Sequence, residues 1–223
     1  MGEVISLEAA RAARAAGAPA SHPVGAPVAR RPATVWFDLD SPLSYLAAER
    51  ADRLLPGARW RPAFEDVLTG RPPAGGMAGM AAAEQRALEL GIPLSWPARW
   101  PAGGRAAMRV ATLAAERGVA RAFALAAGRL QFCGGFDLSQ ADILAEAAAA
   151  AGLGLEDALA AARDEALDAA PEAAAKQLLR EGADALPAFR VGRRLFCGEQ
   201  ALAEAAASAG PAPRALGFPS WGS

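Results

Sequence analysis

The chain has 223 residues, 53% of them hydrophobic and 21% charged, with a formal net charge of −1. That length is ample for one sizeable core, and so balanced a charge steers the protein toward neither nucleic acid nor an anionic membrane surface. With a single histidine (His22) and two distant cysteines (Cys133 and Cys197), the composition excludes a Ser-His-Asp or Cys-His engine in the folded part, a C-x-x-C motif, a two-histidine metal site and a disulfide framework.

Alanine makes up roughly a quarter of the chain and Lys176 is its only lysine, a compositional bias into which no function is read. No apolar run approaches the length of about 18 residues that a membrane span needs. The first residues lack the basic-then-apolar order of a secretory signal. The expectation is a cytoplasmic protein with no metal, no membrane and no nucleic acid partner, and with a homodimer left open.

In chain order, residues 6–16 can form a short helix, and 17–32 alternate Gly, Ala and Pro as a linker does. Thr34-Val35-Trp36-Phe37 is β-branched and aromatic and reads as a strand. Ser41 then offers an N-cap and Pro42 a first helical position, with helical apolar spacing up to Pro56-Gly57. Arg59-Trp60-Arg61 reads as a second strand ended by Pro62, which makes a strand–helix–strand crossover of about 30 residues. After a loop over 70–76, helices are expected at 77–90, 104–117, 119–131, 139–151, 155–168 and 171–181, separated by glycines and Pro171. Residues 188–191 and 194–197 read as a hairpin turning at Gly192-Arg193, followed by a helix from Glu199 to Ala209.

This order is that of an α/β, thioredoxin-like fold with an inserted all-helical domain. The expected parts are a flexible N-terminal extension over 1–32, a thioredoxin-like domain from 33–76 and 184–209, a helical insert domain over 77–183, and a tail over 210–223.

Residues 36–46, Trp-Phe-Asp-Leu-Asp-Ser-Pro-Leu-Ser-Tyr-Leu, resemble the opening of the 2-hydroxychromene-2-carboxylate isomerase and kappa-class glutathione transferase family, in the DsbA-like branch of the thioredoxin superfamily. Arg59-Trp60-Arg61-Pro62, Gly91-Ile92-Pro93-Leu94 with Trp96-Pro97, and Leu186-Pro187-Ala188-Phe189 through Phe196-Cys197-Gly198 carry the resemblance onward. It implies a thiol-cofactor-dependent isomerase or transferase acting on a small aromatic or electrophilic substrate, with glutathione or another low-molecular-weight thiol as cofactor. A catalytically inactive thioredoxin-like binding module is the alternative. A disulfide oxidoreductase is disfavoured, since Ser41 and Ser44 stand where that motif has its cysteines.

Read from the residues, Ser41 sits where a helix favours an anion. It is either a plain cap or, as the resemblance implies, the hydroxyl that donates to a thiolate. The resemblance makes Pro187 a cis-proline, with the Leu186 backbone pairing with the peptide part of the ligand. An ordinary trans proline opening an edge strand is the other reading of Pro187. Glu199 and Gln200 fall where the family holds the γ-glutamyl amine, and Glu199 reads equally as a first-turn acid complementing its own helix. Trp96 and Arg99 are candidates for an aromatic carboxylate substrate, or for packing at a domain junction. Residues 79–86 keep only a shifted acid and arginine (Glu84 and Arg86) of the family's ligand-reaching set. Asp38 and Asp40 flank the site; because carboxylates oppose a thiolate's ionisation, at least one is expected to turn to the backbone. Both cysteines read as small buried residues, Cys133 in the core.

Overall fold

The β-branched and aromatic run forms β1 (Ala33–Phe37), and the Ser-Pro pair starts α1 (Pro42–Leu54). The computed structural model describes residues 30–71, 77–101 and 104–210. The readings made for 1–29, 72–76 and 211–223 lie outside the described residues. The crossover closes with β2 (Arg59–Pro62), followed by a one-turn helix α2 (Glu65–Thr69) that the sequence reading did not foresee. Then come α3 (Met77–Leu90), α4 (Gly104–Glu116), α5 (Ala120–Phe132), α6 (Ala141–Ala150), α7 (Leu155–Arg163) and α8 (Ala169–Arg180). The chain returns as β3 (Ala188–Val191) and β4 (Arg194–Cys197) and ends in α9 (Leu202–Ala209). The helix expected over 155–168 breaks at Asp164, whose backbone is extended and whose carboxylate accepts from the Ala166 N–H of a short 3₁₀ turn. Pro171 lies inside the first turn of α8, where a missing N–H costs little, rather than ahead of it.

The four strands form one sheet in the order β2-β1-β3-β4, with β1 parallel to β2 and antiparallel to β3. The two ends of the fold therefore meet in a single sheet. Register sorts the side chains between its faces: Val35 lies opposite Trp60 and Phe189, and Phe189 opposite Phe196. That face packs with Ala47 and Ala51 of α1, Met108 and Ala111 of α4, Phe123 of α5 and Leu202 of α9 in one continuous core. The inserted helices thus share the sheet's core, and the described residues belong to one compact unit. On the other face Trp36 and Ala188 pack with Leu68 of α2 and with Ala175 and Leu178 of α8.

Residues 30–32, read from sequence as part of the extension, hydrogen-bond to the fold. Arg31 N–H donates to Ala209 O, Pro32 O accepts from Gly192 N–H, and the Arg30 guanidinium donates to Leu54 O. Cys133 is exposed, not in the core: it caps the C-terminus of α5 just before the Gly134-Gly135 turn carries the chain away.

Gly128 lets α5 approach α1. A Cβ there would sit 3.0 Å from Tyr45 Cδ2, an aromatic ring stacked on Phe132. Gly128→Val is expected to lose about 1–3 kcal/mol in a denaturant titration through overpacking. Gly128→Ala should lose less, because alanine's helix preference returns up to about 1 kcal/mol. A valine variant as stable as the parent would show that Tyr45 yields freely.

Candidate functional site

Three segments that sequence keeps apart come together at the start of α1. The first is the β1–α1 loop. Ser41 has extended backbone, is 2% exposed, and accepts at Oγ the Ser44 N–H at a long 3.4 Å, with Pro42 at the first helical position. An oxygen at the positive end of a helix dipole is well placed to share that field with a bound anion. Asp38 and Asp40 both turn to protein donors. Asp38 accepts the N–H groups of Asp40 (2.9 Å) and Glu65 (2.8 Å); Asp40 accepts from Gly104 N–H at 2.9 Å and from the Gln131 amide at 3.3 Å. Burial, and after it the Asp40 charge, push the Asp38 carboxyl up to about 8, against the pull of its two backbone donors.

The second segment is α2, which brings in Glu65. Its Oε2 is buried without a hydrogen-bond partner among the described residues. Burial pushes this carboxyl up to about 7, and the Ser41 hydroxyl pulls the other way. Sequence reasoning missed Glu65 altogether. Phe64 at the N-cap offers no side-chain cap, so nothing in Pro62-Ala63-Phe64 announces a helix, and nothing local tells that the acid will be buried.

The third is the loop before β3. The Leu186–Pro187 peptide bond is cis, and both residues are buried. Cys197 on β4 lies behind it: burial pushes its thiol pKa up, against a smaller downward pull from the backbone at Asp184 and Ala185. A raised thiol is protonated at neutral pH and is no nucleophile. A cleft of about 530 Å³ opens between these parts, with Leu43, Glu65, Arg71 and Asp184 on its walls and Gly79 and Ala82 of α3 opposite. That volume suits a small molecule.

The remaining sequence candidates stand elsewhere. Glu199 is fully buried and both of its carboxylate oxygens are engaged, one by Arg50 of α1 and one by Arg86 of α3. Gln200 beside it is exposed. Trp96 packs edge-on against Trp100 and Phe132 and donates from Nε1 to Glu84. Arg99 is exposed and pairs with Asp137 at 3.1 Å. Neither Trp96 nor Arg99 lines the cleft beside Glu65. Among the described residues no cluster of acids, cysteines or histidine has the makeup of a metal site, and no helix is long and apolar enough to cross a membrane.

A mixed sheet, a serine-capped helix after its first strand, a cis-proline leading into its third, and helices inserted after the crossover define a thioredoxin-type fold. The model of the DSBA-like thioredoxin domain family matches residues 34–208, and the chain belongs to that family. No curated protein matches the sequence. Among solved structures, a 2-hydroxychromene-2-carboxylate isomerase is similar at 18% identity and a TM-score of 0.63, over 76% of this chain and 90% of that one. A probable DsbA oxidoreductase from Streptomyces coelicolor is similar at 23% identity and a TM-score of 0.61, over 83% and 93%. The cytosolic disulfide reductase DsbM from Pseudomonas aeruginosa, solved also with GSH, matches at 22% identity and a TM-score of 0.60, over 79% and 94%. At these identities the likeness establishes the fold.

Proposed function

We propose that this protein is a thiol-cofactor-dependent isomerase or transferase, using glutathione or a similar low-molecular-weight thiol on a small aromatic or electrophilic substrate in the cytoplasm. The observation that carries the reading is Ser41: a buried hydroxyl at the N-terminus of α1, two residues before Leu43, which lines a cleft of about 530 Å³ although Ser41 itself does not. The hydroxyl and the helix dipole favour a sulfur anion there, and a stabilised thiolate is a ready nucleophile at neutral pH. It adds to a conjugated double bond, rotation follows about the resulting single bond, and the thiolate leaves again. The same site has serine at 44, so it cannot cycle a dithiol of its own, which sets it apart from a disulfide reductase.

Arg71 and Asp184 on the cleft walls supply opposite charges for a zwitterionic peptide, one for a carboxylate and one for an ammonium group. Glu199, with both oxygens on arginines, keeps α1, α3 and the approach to α9 together instead of holding the ligand directly. That closure also favours the second reading, a binding module without catalysis. Both described cysteines are free, in keeping with a reducing compartment.

Glutathione at a hundred times its Kd is expected to stabilise the protein by about 2.7 kcal/mol in a thermal-shift titration. Ser41→Ala should remove most of that gain while costing the free protein about 0.5–1 kcal/mol, near the low end for a cap because its capping bond is long. If no thiol shifts the melting of the wild type, the enzyme reading fails and the binding module takes its place.

A further inference from the structure

We propose that Glu65 is the proton acceptor of this site, taking the S–H proton of the bound thiol as its sulfur settles against the Ser41 hydroxyl. The inference rests on the thiol-cofactor reading and goes beyond it by naming where the proton goes. Three observations carry it. Glu65 lines the cleft, its Oε2 is buried without a partner among the described residues, and the Ser41 hydroxyl is near enough to pull its carboxyl pKa down. An unpartnered carboxylate oxygen is costly, and a proton on it relieves that cost.

The step balances within the site. The S–H bond breaks, its electron pair stays on sulfur, and an O–H bond forms on the Glu65 carboxyl; nothing is oxidised or reduced. Ser41 couples the two events because its hydroxyl has one proton to donate. Without ligand the Ser41 hydroxyl pulls the Glu65 carboxyl down; once the hydroxyl turns to the sulfur, the pull is gone and Glu65 holds its proton more tightly. Total charge at the end of α1 is unchanged, so the pair titrates as a unit. When the thiolate leaves the product, the proton returns to sulfur by the same path.

The charged groups around Glu65 do not offer a rival acceptor. Asp38 spends its two oxygens on backbone N–H groups, one of them that of Glu65 itself. Asp66 on the same helix faces Arg105 at 3.4 Å. On α8, packed against α2, Glu172 is paired with Lys176 and Arg180 is exposed. On α3, Arg86 is held by Glu199 and Glu89, and Glu84 by Trp96. Arg71 and Asp184 line the cleft at its exposed walls.

The test uses the full chain with glutathione and with S-methylglutathione, which has no thiol proton. Calorimetry at pH 8 in buffers of different ionisation enthalpy reads proton release on binding; thiolate ultraviolet absorbance reads the ionisation of the bound sulfur. The wild type should bind both ligands, show thiolate with glutathione, and release no proton to buffer. Glu65→Gln, which imitates the protonated acid in shape, should bind S-methylglutathione as the wild type does. With glutathione, Glu65→Gln has no carboxylate to keep the thiol's proton and should release it to the buffer as the thiolate forms, and Glu65→Asp should restore part of the retention. Full proton release by the wild type, or proton release by Glu65→Gln no greater than the wild type's, overturns the role of Glu65 while leaving the thiol reading intact. If neither ligand binds the wild type, the thiol reading falls and this inference falls with it. The calorimetric arm needs only the wild type, so the question is answered even if the glutamine variant folds poorly.

Discussion

Glu199→Ala is expected to cost about 3–5 kcal/mol of folding stability, the range for removing one partner from a buried ion pair. The carboxylate is fully buried and ties Arg50 of α1 to Arg86 of α3, so its loss strands two guanidinium groups at once. Their side chains are 18% and 23% exposed, so water relieves part of the penalty and the lower half of that range is the better guide. Arg86 is held above its ordinary pKa first by its bond to Glu199 and then by Glu89, so it has a second acid to fall back on. Arg86→Ala should therefore cost less than Glu199→Ala, because Arg50 remains with the buried carboxylate. A triple change of Arg50, Arg86 and Glu199 to methionine, methionine and leucine should recover most of the loss, since apolar replacement of a buried network is often neutral. Denaturant midpoints at constant slope measure all three. A Glu199→Ala protein within 1 kcal/mol of wild type would show that the triad is not what joins these elements, and would reopen Glu199 as a ligand group.

Much of this architecture is written in local chemistry. Gly and Pro punctuate the helices so regularly that most expected ends fall within two residues of the observed ones, and the Ser41-Pro42 start, the Leu186-Pro187 turn into β3 and the Gly192-Arg193 hairpin are where short-range rules put them. What escaped is long-range. Arg50 and Arg86 meet Glu199 across 149 and 113 residues, and no spacing rule announces that an acid at a helix start will be clamped instead of solvated. Glu65 looks like any first-turn acid until the fold half-buries it, with its Oε2 shut off from water. Residues 30–32 look like linker because two arginines and a proline carry no strand signal, yet they hydrogen-bond to Leu54, Gly192 and Ala209. Trp96 has the composition of an aromatic platform and turns out to be packed against Trp100 and Phe132.

Stability should fall as pH rises from about 4 to about 8, the reverse of an ordinary acid-sensitive protein. Burial lifts Asp38 from 3.8 to about 8 and Glu65 from 4.5 to about 7, so across that window the folded chain binds more protons than the unfolded one. A group raised in this way contributes stability that is complete below its unfolded pKa and lost as pH climbs through the folded value. Each such group lowers the unfolding free energy by up to about 1.4 kcal/mol per pH unit between its two pKa values. Carboxylates held below their usual range act in a different window. Asp137, bonded by Ser139 and paired with Arg99, contributes stability that is present above its unfolded pKa and lost as pH falls through the acid range. The two trends leave a maximum near pH 4, measurable as the highest denaturant midpoint in a series from pH 3 to 9. Asp38→Asn cannot ionise yet still offers an oxygen to the Asp40 or Glu65 N–H, and it should flatten the upper half of the profile. Glu65→Gln should remove the part that ends near pH 7. A wild-type stability that climbs steadily from pH 5 to 8 would mean that both carboxyls ionise freely in the fold, and would leave Glu65 too acidic to hold a thiol's proton.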